Sequence, residues 1–136
     1  MAPSNIEQEI SRVVNNCIEF AKLMLNESRE FYPFAAQLSV DNKIIPTSFS
    51  DGDEFPKSQT ILDGLKQQLD IKLKNKLIIC YSIAFDGRVK RNENSELSDA
   101  IIINVEHIEL QETYIKYYPY LFSKKNELIF GEPWSY

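Results

Sequence analysis

A long one-sided apolar stripe near the start of the chain restricts the fold more than any other feature. Within PSNIEQEISRVVNNCIEFAKLMLNE, Ile6, Ile10, Val13, Cys17, Ala21 and Met24 recur at three- and four-residue spacing, and Val14, Ile18 and Leu25 widen the stripe. Ser4 followed by Glu7 has the form of a capping box, which predicts a helix starting near Asn5. It should fade over residues 26–28, because Pro33 biases Tyr32 towards extended backbone. A helix this long with one apolar face needs a broad apolar surface to pack on, and the rest of the chain offers strands.

FAAQLSV alternates Phe34, Ala36, Leu38 and Val40 against Ala35, Gln37 and Ser39, the pattern of a half-buried strand. Asp41 and Asn42 tolerate positive φ, so KIIPTSF should return as the second arm of a hairpin. Pro46 cannot donate to a ladder, so that arm is short or lies at an edge. Ile61, Leu62, Leu65 and Leu69 mark a second amphipathic helix that ends near residues 72–75, where lysines suit the negative end of the dipole. LIICYSIAF is apolar at both parities, as a central strand requires. Asp86-Gly87 reads as a turn or a bulge, and residues 91–98 as a polar surface loop. DAIIINVEHIEL and TYIKYYPYLF predict two more strands joined around Gln111-Glu112. ELIFGEP, after the Lys124-Lys125-Asn126 turn, is a candidate for a short last strand.

The order α-β-β-α-β-β-β, with a final β, predicts an α+β fold: a mixed or antiparallel sheet of five or six strands packed by two helices on one face. Residues 1–136 should form a single domain, since no linker or repeat divides them. This element order resembles the roadblock and profilin-like group of folds, a resemblance that implies a dimerisation or binding scaffold. FYPFAA, GDEFPKSQ, DAIIINVEH, YYPY and FGEP also resemble strings of a family of small, uncharacterised bacterial proteins. That resemblance implies one family-wide domain and assigns no activity.

Charge excludes more than it identifies. A net charge of −5 repels phosphate backbones, and no basic stripe compensates, so nucleic acid is not an expected partner. No apolar run reaches the ~20 residues of a membrane helix, and the first residues lack a leader pattern, so no membrane association is expected. Cys17 and Cys80 lie on apolar patterns without framework spacing, as reduced core residues of a cytoplasmic protein do.

The motifs that carry chemistry are few. Asp51, Asp53 and Glu54 crowd carboxylates into SFSDGDEFPKSQT, but no register gives the ligand positions of a calcium loop. They read better as a turn leading into a helix start, with Ser58 or Asp53 as N-cap. His107 is the sole histidine. Alternation puts Glu106 on the opposite face, and a zinc site lacks ligands at useful spacing, so a structural role outweighs a catalytic one. A reactive Cys80 would need exposure and an oriented base. The short glycine count, four in the chain, argues against a nucleotide loop. No metal and no cofactor are therefore expected.

The aromatic excess is more informative. Alternation puts Tyr114, Lys116, Tyr118 and Tyr120 on one face of a strand and Ile115, Tyr117 and Leu121 on the other. Tyr offers apolar area and a hydroxyl at small entropy cost, so these rings either armour an aromatic-rich sheet or form an interface. Trp134, near the end, reads as docked on the core or exchanged with a second copy. The leading expectation is a non-enzymatic binding module that self-associates through its sheet. The alternatives are an acidic immunity-type protein that neutralises a basic toxin, and a small enzyme or ligand binder with a tyrosine-lined pocket near His107.

Overall fold

The computed structural model describes residues 5–49, 52 and 57–135. The elements run α1 (Asn5–Ser28), β1 (Phe34–Ser39), β2 (Ile44–Thr47), α2 (Ser58–Lys74), β3 (Ile78–Val89), β4 (Ser98–His107), β5 (Tyr114–Phe122), β6 (Leu128–Phe130) and β7 (Trp134–Ser135). The fold is α+β. Seven strands form one open antiparallel sheet in the order β2-β1-β3-β4-β5-β6, with β7 also on β5.

The expectation that both helices share a face is overturned: they pack on opposite faces. Val13, Cys17, Ala21 and Leu25 of α1 meet Ala36, Leu38, Cys80, Ile101 and Ile103. Ile61, Leu65 and Leu69 of α2 meet Ala35, Tyr81 and Ile83. The cause is legible in β1. It is buried at both parities rather than half-buried, and its small Ala35 and Ala36 let a helix approach from either side. Each Val, Leu or Ile so buried contributes ~1.5–3 kcal/mol relative to exposure. Gln37 in the same strand is buried but satisfied, donating from Nε2 to Thr47 Oγ1 at 2.8 Å.

β2 is a short edge strand, as Pro46 requires. Val40 falls beyond β1 in the turn, where Asn42 takes φ 70. β3 runs unbroken through Asp86-Gly87, so that dipeptide is neither turn nor bulge. Gly87 pairs with Ala100, and a Cβ there would lie 2.7 Å from Ile102 Cδ1, so a larger residue would have to push that methyl aside. The α2 N-cap is Lys57 and not Ser58, which is already helical. Lys57 holds extended backbone, accepts from Ile61 N–H through its carbonyl, and makes no side-chain cap.

β6 and β7 lie along the same edge of β5 as two halves of one interrupted strand. Leu121 pairs with Ile129 and Tyr117 with Trp134, so the edge advances five residues while β5 advances four. The extra residue is absorbed between Gly131, whose N–H bonds Pro119 O at 2.9 Å, and Pro133. A one-residue slip changes which parity faces which side. Ile129 and Trp134, of opposite parity, therefore share the face of Leu121 and Tyr117.

Candidate functional site

His107 closes β4 and is 2% exposed. Its Nδ1 accepts from the Glu109 backbone N–H at 3.0 Å, which leaves the ring proton on Nε2 to donate to Glu9 Oε1 of α1 at 2.9 Å. Glu106 faces the other way and accepts from Thr113. Cys80 is the direct cross-strand neighbour of His107, a pairing that sequence alone leaves open. Burial, with the Glu9 charge adding to it, pushes the Cys80 thiol up to about 12. Both imidazole nitrogens are occupied and the thiol stays protonated, so the pair cannot work as base and nucleophile. His107 pins the start of α1 to the sheet. Glu9, its partner, is 98 residues away in sequence, and no spacing signal points to it.

The tyrosine row of β5 divides. Tyr120 is buried, and its hydroxyl donates to Asp86 Oδ1 at 2.7 Å. Burial first, and then the Asp86 bond, raise the phenol above its ordinary value. Tyr81 repeats the device against Asp70 of α2 at 2.5 Å. Tyr114 and Tyr118, by contrast, line a groove of about 400 Å³ with Lys116 between them. Glu7, Ser11 and Asn15 of α1 form the opposite wall. The groove lies where α1, packed mainly on β1, β3 and β4, meets β5.

On the α2 side of the sheet, Trp134 stacks on Tyr117 with ring centroids 5.2 Å apart and planes at 15°. The Arg91 guanidinium sits 5.5 Å from the indole centroid. The Trp134 indole N–H is buried and makes no hydrogen bond among the described residues. α2 packs mainly on β1 and β3, to one side of this region. Leu121 and Ile129 there are 56% and 46% exposed. Strand alternation finds Ile115, Tyr117 and Leu121; Ile129 joins them as the cross-strand partner of Leu121, Trp134 through the edge slip, and Arg91 through the β3–β4 loop.

Asp51, Asp53 and Glu54 lie outside the described residues. Gly52 between them takes φ 86, a left-handed turn conformation that suits glycine. An apolar cleft of about 470 Å³ opens between α1 and the sheet edge, lined by Phe20, Leu23, Phe34 and Pro46. Among the described residues no three His, Cys, Asp or Glu side chains converge as a metal site would need, and no helix is long and apolar enough to cross a membrane. Compared with protein-family models, curated proteins and solved structures, the chain matches none.

Proposed function

We propose that this chain is a non-enzymatic interaction module whose first partner is a second copy of itself, docked through the α2-side face of β4, β5, β6 and β7. One observation carries this reading: a helix packs on one half of that face, and on the other half Leu121 and Ile129 are exposed beside the Tyr117–Trp134 stack. Aromatic anchors ringed by polar groups are the composition of protein interfaces. A buried indole N–H without an acceptor costs ~1–3 kcal/mol, and a partner acceptor would remove that cost. Charge supports a self-complementary contact. Arg91 lies beyond the Val89–Ser98 end of the β3–β4 pairing, and Glu106 sits near its opposite end beside Tyr81. A two-fold axis between them would bring unlike charges together.

The buried, unlinked Cys17 and Cys80 support a reducing, cytoplasmic setting. The net charge of −5 favours a basic protein as the second class of partner, the immunity-type reading. Sedimentation velocity and light scattering across micromolar concentrations test the first reading. A concentration-dependent dimer that Leu121→Lys dissolves is the expected result; a strict monomer at every concentration overturns it.

A further inference from the structure

We infer that the groove between α1 and β5 is a binding site for a small planar anion with an aromatic body, held by Lys116 between Tyr114 and Tyr118. This site is on the opposite face from the interface proposed above and does not depend on it.

The tyrosines themselves make the case. Tyr81 and Tyr120, in the core, each give their hydroxyl to a carboxylate. The hydroxyls of Tyr114 and Tyr118 make no hydrogen bond to any described residue, though both rings are half-buried. Lys116 has the same character. Its ammonium lies 5.2 Å from the centroid of the Tyr118 ring and has no carboxylate within ion-pair distance among the described residues. A cation over a ring face, with two phenols on the same strand face, matches a carboxylate joined to a flat apolar body. The cation and phenols take the charge, and the Tyr rings take the ring. Ile10 and Val14 give an apolar floor, while Ser11 and Asn15 add polar atoms along the helix wall, on which the Glu7 carboxylate also lies. The volume of about 400 Å³ lies in the range of small-molecule sites.

Titration of the ¹⁵N-labelled protein with naphthalene-2-carboxylate, followed by amide shifts, tests the site. Saturable shifts at Ser11, Asn15 and Lys116 are expected, with the Trp134 indole resonance unmoved. Naphthalene-2-carboxamide, which keeps the ring and loses the charge, should bind about tenfold more weakly, as the loss of a charged hydrogen bond implies. Lys116→Met should weaken the carboxylate by the same factor and leave the amide unchanged. Tyr118→Leu, which removes the ring, should weaken both probes. The proposal is overturned by equal affinity for acid and amide, by shifts centred on Trp134, or by no saturation up to about 10 mM. Loss of the dimer by Leu121→Lys should leave this binding intact, so the two proposals fail separately.

Discussion

The two faces of the sheet follow the same alternation and end in opposite conditions. On the α1 side the contact is closed by packing and by buried polar ties. Ser82 Oγ donates to the Val13 carbonyl at 2.9 Å, Cys17 Sγ and Ser82 Oγ lie 3.1 Å apart, and His107 holds Glu9. These ties recur at residues 9, 13 and 17, one helical turn apart, so they fix the rotation of α1 as well as its position. On the other side α2 packs on β1 and β3, and Leu121 and Ile129 of the farther strands are exposed. The geometry explains the difference. Six strands at ~4.8 Å spacing are wider than one helix of ~10 Å can cover. On the α1 side Tyr120, Phe122 and Phe130 extend the core beyond the helix. On the α2 side the corresponding groups are the Tyr117–Trp134 stack, with Arg91 beside the indole, and the exposed Leu121 and Ile129. Helix α1 and an aromatic rim cover one face; on the other, Leu121 and Ile129 stay exposed.

The comparison breaks most visibly if truncations on the two faces cost the same. Ile103→Ala, at a fully buried position under α1, should lose ~2–5 kcal/mol in urea unfolding, the cost of a buried cavity. Ile115→Ala, on the open half of the other face, should lose under ~1 kcal/mol. Equal losses would mean that the open half is covered within the monomer.

His107→Leu sharpens the role given to the polar ties. It strands the Glu9 carboxylate and the Glu109 N–H while keeping an apolar body, and should cost ~1–3 kcal/mol. Glu9→Gln keeps an acceptor for the imidazole N–H and should cost less. If the two variants unfold alike, the tie contributes through packing and not through its hydrogen bonds. The thiols provide a kinetic measure of the same seal. Burial pushes Cys17 and Cys80 both up to about 12, so alkylation by iodoacetamide at pH 8 should be slow and should track unfolding. Rapid labelling of either thiol in native buffer would show that α1 lifts from the sheet.

The legible part of this fold was local. The α1 stripe, the Asp41-Asn42 hairpin, the β5 alternation and the doubly apolar β3 all appear in the sequence, because short-range periodicity sets them. What the sequence concealed was relational. Ala35 and Ala36 look like weak strand formers, yet their size is what admits a helix on each face. Glu9 is indistinguishable from the other acids of α1 until β4 brings His107 against it. Tyr120 shares a parity with Tyr114 and Tyr118, and only the reach of α1 and the aromatic rim around Phe122 and Phe130 make it core. The slip between β6 and β7, which turns Trp134 to the open face, is one residue in a Gly-Glu-Pro link.

The smallest expected effect lies at the rim of the closed face, where Asp86 accepts from Tyr120. Burial raises the Asp86 carboxyl above its ordinary 3.8, the Tyr120 bond opposes that, and the Asp99 and Glu30 charges add to it. The native state therefore holds this proton more tightly than the unfolded chain, which binds fewer protons just above pH 3.8. Stability contributed by the protonated form is present below the ordinary value and is lost as pH rises through the raised one. Asp86→Asn keeps an acceptor for the Tyr120 hydroxyl and removes the charge. Its melting temperature should exceed that of the parent near pH 7, and the gap should close as the pH falls below about 4. A parent that melts above Asp86→Asn at neutral pH would show that the ionised hydrogen bond outweighs the burial of the charge. The rim of the closed face would then be held electrostatically, like the His107 tie at its other end.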